Sequence, residues 1–210
     1  MVDQRDYWDR VAPAKTFTHP LDEAWVRATI APDARLLDFG CGYGRTLTEL
    51  ARLGYRHAVG VDFAPAMIAR GRRQSPTLDL RSSLAEPDGA FAAVFLMAVL
   101  TCIPDDAEQD ALVAELRRLL RPGGVLYVSD MPLQSDARNV RRYAEAQPRF
   151  GVYGVFETDD GAIVRHHTDQ RFDMLFADFE RVAVRDVQLQ TMNANPATAR
   201  QLLLRAARPA

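Results

Sequence analysis

Two acids and three alternate glycines give this chain its clearest potential for chemistry. An apolar run ends at Asp38, and glycine follows at Gly40, Gly42 and Gly44. Glycine permits positive φ and lets a ligand approach the backbone where a Cβ would collide. A second apolar run ends at Asp62, where a carboxylate can accept hydrogen bonds from two ribose hydroxyls. The pattern predicts a strand, a tight turn and a helix N-terminus that hold a nucleoside-bearing ligand at the edge of a sheet.

The spacing of the glycines distinguishes two kinds of ligand. A dinucleotide site reads G-x-G-x-x-G/A, whereas this chain reads G-x-G-x-G and has Arg45 where the small residue would stand. Asp38 is also unfavourable beside a pyrophosphate, because two anions would lie close together. The same carboxylate suits a ligand that carries an ammonium group. The spacing therefore argues against a dinucleotide.

These motifs resemble those of the class I S-adenosylmethionine (SAM) methyltransferases. The D-x-G-x-G-x-G run at positions 38–44 resembles motif I of that family. Asp62, followed by Phe63 and Met67, resembles motif II, in which a hydrophobic residue and a helical methionine sandwich adenine. A further family hallmark, L-x-P-G-G before a strand, stands at positions 120–124. The resemblance implies a Rossmann-like fold and SAM as the cofactor.

The resemblance also implies which residues contact SAM. Family members commonly carry an acid that accepts from the adenine amino group, but this chain offers Ser83 there, and Ala92 replaces a second usual acid. Met97 stands at the end of an apolar run, where ligands bind in open parallel sheets. The implied cofactor contacts are Tyr7, Trp8, Phe17, Asp38, Gly40, Cys41, Gly42, Gly44, Asp62, Phe63, Met67, Ser83, Leu84 and Met97.

Helical and strand patterns alternate through position 130, which predicts an α/β fold with a Rossmann-like, doubly wound sheet. The sheet is expected to be mostly parallel, with an antiparallel last strand. The continuous apolar run at 91–100 is typical of a strand that is covered on both faces. The predicted strands are 36–38, 58–61, 78–81, 91–100, 125–130, 179–184 and 202–204.

We predict a single SAM-binding domain over residues 1–210, with an N-terminal helical lid at 1–31 and a capping insertion at 131–167. Helical spacing covers 136–146 in the insertion. An Asp-Gly turn between apolar runs within 151–167 is a hairpin signal. The insertion is expected to cap the substrate side of the site.

The aromatic residues of the N-terminal lid have two interpretations. Helical spacing predicts helices over 3–14 and 20–30. Tyr7, Trp8 and Phe17 either cover one edge of the core or fold over the cofactor. In the second case an aromatic face beside a sulfonium would provide cation–π attraction of about 0.5 to 2 kcal/mol.

The candidates for catalysis lie in the insertion. Methyl transfer needs mainly alignment and desolvation of the nucleophile, and a base helps only where the acceptor is protonated. His166 and His167 are the candidate bases, because histidine titrates near neutrality. Adjacent strand residues point to opposite faces, so at most one imidazole should enter the site, and both are otherwise surface or hydrogen-bonded core residues. Tyr143 and Asn139 complete the catalytic candidates, whereas His19 is expected to cap the helix that follows it.

The activity that the resemblance predicts is methyl transfer from SAM to a small molecule. Some relatives on this fold instead consume SAM by intramolecular displacement. They close its side chain to azetidine-2-carboxylate or 1-aminocyclopropane-1-carboxylate and release methylthioadenosine. A SAM cyclase is therefore the alternative, and a non-catalytic SAM-binding or NAD-linked protein is a third.

Composition and charge argue against several other classes of protein. The 210 residues carry a net charge of −2 with a pI near 6.1, which does not fit a nucleic-acid binder with a basic face. The sequence has no apolar run of about 18 to 20 residues, and its start lacks the regions of a signal peptide. Cys41 and Cys102 are expected to be reduced thiols in a cytoplasmic protein, and adjacent histidines alone do not build a metal site. We expect a small-molecule substrate and no nucleic-acid, membrane or metal partner, and an oligomer is compatible with the sequence.

Overall fold

A seven-stranded sheet organises the computed structural model, which describes residues 4–207. The sheet order is 3-2-1-4-5-9-8 for strands numbered along the chain, and strands 6 and 7 form a separate antiparallel hairpin. The strands are β1 (Leu36–Phe39), β2 (Ala58–Val61), β3 (Asp79–Arg81), β4 (Phe91–Met97), β5 (Leu120–Asp130), β6 (Val155–Glu157), β7 (Ile163–Arg165), β8 (Phe179–Gln190) and β9 (Pro196–Ala206).

Helices flank this sheet. Within residues 4–207 they are α1 (Arg5–Val11), α2 (Glu23–Thr29), α3 (Arg45–Arg52), α4 (Pro65–Gln74), α5 (Asp106–Leu119), α6 (Ala137–Phe150) and α7 (Asp169–Leu175), with one 3-10 turn at Leu100–Cys102. Strands β1 to β5 pair in parallel, whereas β9 runs antiparallel to both β5 and β8. The predicted α/β sheet, mostly parallel with an antiparallel last strand, is confirmed. No helix within these residues is long and apolar enough to cross a membrane.

Several predicted elements have different bounds in the structure, and two of these differences have clear local reasons. The second helix begins at Glu23 and not at Pro20, because the Asp22 carboxylate accepts from the backbone N–H of Trp25 at 3.0 Å and caps it. The fourth strand ends at Met97, because Ala98 adopts a positive φ of 58° and turns the chain into the 3-10 turn. The turn directs the chain over the carboxyl edge of the sheet.

The core fixes the strands whose ends form the site. Both faces of β4 are buried, with Val94 and Leu96 in one apolar cluster and Ala93 and Phe95 in another. Burial of apolar surface on both faces sets the register of such a strand. Phe39 at the end of β1 pairs with the last residue of β2 and with Leu96 of β4. The carboxyl ends of these three strands therefore meet at one edge.

The N-terminal lid and the insertion cover that edge. Tyr7 and Trp8 of α1 share a buried cluster with Met67 of α4 and Ala162 of the turn between β6 and β7. The insertion supplies α6 and the β6–β7 hairpin, which follow β5 directly. The cluster links the start of the chain to a segment that lies more than a hundred residues later.

Candidate functional site

The glycine turn after β1 is shaped by two requirements. Gly40 and Gly42 have φ of 71° and 54°, in the left-handed region that favours glycine. A Cβ on Gly40 would lie 2.5 Å from Val99 Cγ2, and one on Gly42 would lie 2.0 Å from Cε2 of Phe17. Both backbone conformation and space therefore require glycine. Gly44, the third of the series, is the N-cap of α3.

Asp62 holds this turn in place. Its Oδ2 accepts from the backbone N–H of Gly42 at 2.8 Å, and its Oδ1 accepts from that of Ala64 at 2.9 Å. Burial raises the pKa of Asp62, while the two backbone hydrogen bonds oppose the shift. A carboxylate oxygen can accept more than one hydrogen bond, so both oxygens can still receive a ribose hydroxyl.

Asp38 has a buried carboxylate oxygen without a hydrogen-bond partner in the described residues. Its side chain is almost wholly buried, and Oδ2 has no hydrogen-bond partner among residues 4–207. Burial raises the pKa of Asp38 to about 7, and the nearby guanidinium of Arg45 opposes that shift. Buried polar atoms are nearly always paired in proteins. The unpaired oxygen marks a place for a donor from a ligand, and a cationic donor fits it best.

A cavity of about 540 Å³ lies above the ends of β1, β2 and β4. Small-molecule sites occupy roughly 300–1,000 Å³. The structure brings most of the predicted site residues to its lining. They are Tyr7, Trp8, Phe17, Asp38, Gly40, Cys41, Asp62, Phe63, Met67, Met97, Asn139 and His166.

The remaining predicted cofactor contacts lie outside that lining. Ser83 is exposed, and Leu84 packs against the core cluster below the sheet edge. Gly42 lies beneath the Phe17 ring, and Gly44 faces Leu78 in the interior. Ser83 and Leu84, which follow the three-residue strand β3, are not among the residues that line the cavity.

His167 is a core residue and not a base at the site. Its side chain is fully enclosed, its Nε2 accepts from Gln109 Nε2 at 2.8 Å, and its Nδ1 donates to the carbonyl of Met131 at 3.2 Å. Burial lowers the pKa of His167 to about 3. The physical reason is the alternation of neighbouring residues, since His166 takes the side that faces the cavity.

His166 is fixed by Tyr143. The Tyr143 hydroxyl lies 2.5 Å from His166 Nδ1 and accepts the backbone N–H of Gln134 at 3.1 Å. We assign the phenol proton to Nδ1, because the Gln134 N–H is itself a donor and Nδ1 is the only possible acceptor for that proton among residues 4–207. Neutral His166 therefore carries its proton on Nε2, which has no protein partner among residues 4–207. We infer that Nε2–H is the group that His166 presents to the cavity.

Neither member of this pair is charged near neutrality. Burial lowers the pKa of His166 to about 3, and electrostatic interactions with His167, Arg142 and Arg138 add to the effect. Burial also raises the pKa of Tyr143 to about 12. The pair is thus a neutral hydrogen-bonded unit near neutral pH, and the pKa of His166 lies below the near-neutral value expected from its residue type.

Asn139 lines the cavity at the first turn of α6. Its side-chain Nδ2 donates to Asp136 Oδ2 at 2.6 Å, and its backbone N–H donates to Oδ1 of the same residue at 3.1 Å. The amide oxygen receives Arg142 Nη1 at 3.5 Å. Asn139 therefore orients Arg142, and one of its two amide protons is used in the bond to Asp136.

Several cavity residues were not among the predicted site residues, and His19, Arg138 and Arg142 are the ones that bear on charge. His19 is buried and pairs through Nδ1 with Ser129 Oγ at 2.9 Å, so it does not cap α2 as expected. Burial lowers the pKa of His19 to about 4, and the charge of Arg45 adds to this. Arg138 and Arg142 line the cavity from α6. Their spacing of four residues places them on one helix face, which by itself indicates only a solvated surface.

One acid of the insertion, Asp160, binds two residues of the N-terminal lid beside the cavity. Tyr7 donates its hydroxyl proton to Asp160 Oδ2 at 3.0 Å, and Lys15 Nζ lies 2.5 Å from the same oxygen. Asn193, in the turn between β8 and β9, receives a hydrogen bond from Lys15 and donates to Asp160. The Phe17 ring stacks on Tyr43, with centroids 4.9 Å apart. We call Tyr7, Lys15, Asp160 and Asn193 the clasp.

Two further observations bear on metals and thiols. Among residues 4–207 no group of three or more histidines, cysteines or acids could hold a metal ion. Cys41 and Cys102 are free thiols that line the cavity, and burial raises the pKa of each. Both are therefore neutral thiols at physiological pH.

Comparisons with known proteins agree with this geometry. Residues 37–128 match the protein family described as "Methyltransferase domain". The chain is 34% identical over 137 residues to ubiquinone biosynthesis O-methyltransferase of Xanthomonas campestris pv. campestris (strain B100), in an alignment that covers 60% of this chain and 56% of the relative. The chain thus spans about half the length of the curated relatives it matches.

Solved structures share the fold. A SAM-dependent methyltransferase from Methanosarcina mazei has a TM-score of 0.84 at 23% identity, covering 90% of this chain and 99% of that chain. Burkholderia thailandensis 1,6-didemethyltoxoflavin-N1-methyltransferase, with bound 1,6-didemethyltoxoflavin and S-adenosylhomocysteine, has a TM-score of 0.62 at 19% identity, covering 88% and 76%. At these identities the likeness concerns the fold, and it confirms the Rossmann-like architecture predicted from the sequence.

Proposed function

Residues 37–128 form a class I SAM-dependent methyltransferase domain, and on this premise we propose that the protein transfers a methyl group from SAM to a small molecule. The observation that carries the proposal is the unpaired, buried Oδ2 of Asp38 in the cavity wall. A ligand ammonium would donate a hydrogen bond to this oxygen and would favour the charged form of the carboxylate. Asp62 lies at the neighbouring strand end with lone pairs free for ribose hydroxyls.

The other lining residues fit the remainder of the cofactor. Phe63, just before α4, is half-exposed, and Met67 of α4 is buried. Both line the cavity, so they offer apolar surface to a flat base. Tyr7, Trp8 and Phe17 bring aromatic rings to the same cavity, where a sulfonium would gain about 0.5 to 2 kcal/mol of cation–π attraction. These residues are the cofactor contacts that we propose.

The protein's part in the reaction is alignment and exclusion of water. When bound, SAM supplies an electrophilic methyl group; transfer forms a bond from the acceptor atom to the methyl carbon, breaks the methyl–sulfur bond and leaves S-adenosylhomocysteine. The N-terminal lid and the clasp exclude solvent from the cavity, and this exclusion desolvates the acceptor. His166 donates Nε2–H to the acceptor, and Tyr143 is the positioning residue that fixes its tautomer.

Calorimetric titration with SAM and S-adenosylhomocysteine tests the binding part of the proposal. Asp38→Asn should weaken SAM binding about tenfold or more, because a charged hydrogen bond contributes about 1.5–3 kcal/mol. Asp88→Asn is the matched control, since Asp88 is an exposed acid outside the cavity. Equal SAM affinity in the Asp38 variant and the wild type would contradict the assignment.

Mass spectrometry of turnover mixtures tests the reaction. We expect S-adenosylhomocysteine only when a small-molecule acceptor is added. Methylthioadenosine and a cyclic amino acid from SAM alone would identify the cyclase instead. Unchanged SAM across a broad panel of acceptors would point to a protein that binds SAM without turnover.

A further inference from the structure

We propose, building on the function above, that the acceptor carries a carboxylate and that Arg142, Arg138 and His166 bind it. The two guanidinium groups stand four residues apart on α6, and both line the cavity with His166. The Arg142 guanidinium lies 4.5 Å from the centroid of the Phe156 ring. That ring in turn lies 5.0 Å from the imidazole of His166, edge to face. Phe156 thus places one cation and one imidazole on the same part of the wall.

The first argument concerns charge. Among residues 4–207 no carboxylate lies within ion-pair distance of Arg142, and the nearest to Arg138 is Asp136 at 3.9 Å. Arg171, a buried arginine outside the cavity, is by contrast paired with Asp110 at 2.8 Å. A planar guanidinium matches a carboxylate through two parallel hydrogen bonds. Arg142 therefore has a neutral amide partner but no carboxylate within residues 4–207, and Arg138 has one long ion pair, so both can bind an anion from the ligand.

The second argument concerns the imidazole. His166 is more than nine-tenths buried, and within residues 4–207 its ring makes one hydrogen bond, between Nδ1 and the Tyr143 hydroxyl. With the phenol proton assigned to Nδ1, Nε2–H is a donor without an acceptor in this part of the chain. Guanidinium groups also have no acceptor atoms. The three side chains together offer donors alone, which is the chemistry of an anion site.

The third argument separates this site from the cofactor end. The charges that shift the pKa of Asp38 are those of Arg45, Asp62 and Glu49, and none comes from α6. The arginines of α6 act instead on His166. At the strand ends the cavity is lined by Asp38 and Asp62 beside one arginine, Arg45, whereas α6 contributes two arginines and no acid to the lining. A cationic group of one ligand would bind near the strand ends, and an anionic group of a second ligand would bind near α6.

A carboxylate fits this end better than a phosphate does. Phosphates commonly use the free backbone N–H groups of a helix N-terminus. At α6 the Asp136 carboxylate already receives the backbone N–H of Asn139 at 3.1 Å and so occupies that position. Two side-chain cations and one neutral N–H suit a single negative charge with two oxygens.

Calorimetry on the protein saturated with S-adenosylhomocysteine tests the proposal. The probes are the three hydroxybenzoates, the matching neutral hydroxybenzamides, and phenyl phosphate. We expect at least one acid to bind about tenfold or more tightly than its amide, since charge-assisted hydrogen bonds differ by about that factor from neutral ones. Arg142→Gln should abolish the preference and Arg142→Lys should retain part of it. Arg138→Gln, which removes no aromatic contact, should reduce it.

Arg141→Gln is the matched control. Arg141 is the neighbour of Arg142, but its side chain is 73% exposed and does not line the cavity. The proposal is overturned if amides bind as tightly as acids, if phenyl phosphate binds best, if the control variant loses the preference equally, or if no acid binds at about 1 mM. Failure of S-adenosylhomocysteine to bind would instead refute the proposed function, so the two failures are distinct.

Discussion

Replacing Tyr143 by phenylalanine tests the hydrogen bonds that fix His166. The change removes one oxygen and keeps the ring, which is fully buried. That oxygen accepts from the backbone of Gln134 at 3.1 Å and donates to His166 Nδ1 at 2.5 Å. The variant leaves two buried polar groups without partners, at a cost of about 1–3 kcal/mol each.

The expected loss of stability is therefore about 2–6 kcal/mol, compared with the roughly 5–15 kcal/mol of an ordinary domain. With a urea dependence of about 2 kcal/mol per M, the unfolding midpoint should fall by about 1–3 M. Tyr153→Phe is the control, because Tyr153 is 36% exposed and its hydroxyl has no partner among residues 4–207. That variant should stay within about 0.5 kcal/mol of the wild type.

Nitrogen-15 NMR of the imidazoles supplies a readout that packing alone would not move. The wild-type spectrum should show His166 protonated at Nε2, and Tyr143→Phe should release that preference. A proton on Nδ1 in the wild type would refute the tautomer and remove one donor from the anion site. Equal urea midpoints for the Tyr143 and Tyr153 variants would refute the energetic argument.

Three further predictions concern ionisation. Asp38→Asn should stabilise the ligand-free protein by at least about 1 kcal/mol at about pH 8, measured by urea unfolding, because burial raises the pKa of Asp38 to about 7 and the fold disfavours the charged form above it. In NMR titrations His19, His166 and His167 should remain neutral down to about pH 5, since burial lowers their pKa values to about 4, 3 and 3. Burial raises the pKa of Asp160, but hydrogen bonds from its partners outweigh it and hold the pKa below the usual range. This carboxylate stabilises the fold above its unfolded-state pKa, so the gap in urea midpoint between wild type and Asp160→Asn should shrink as the pH falls from about 7 to about 3.

The sequence predicted what local chemistry determines. The turn at 38–44 follows from glycine positions within one short segment, and Asp62 follows from its place at a strand end. The alternation of strand residues also predicted that at most one of the two adjacent histidines would enter the site. It did not say which one, because that depends on how the β6–β7 hairpin docks against Gln109 of α5.

The sequence alone did not predict contacts between distant segments. His19 meets Ser129 across 110 positions, and no local pattern distinguishes such a histidine from a helix cap. Arg138 and Arg142 have the spacing of a solvated helix face, and only the fold turns that face into a cavity wall. Ser83, by contrast, was predicted from its position relative to family motifs, and it lies outside the cavity lining.

The clasp has a consequence for the rate of ligand exchange. It joins three stretches of chain that are far apart in sequence, and all three border the cavity. Tyr7, Asp160 and Asn193 of the clasp line the cavity, so we expect these polar contacts to separate before a molecule of cofactor size enters or leaves. Exchange should therefore follow a first-order opening step, and the observed association rate should level off at high ligand concentration. Removing the Asp160 carboxylate should raise that plateau.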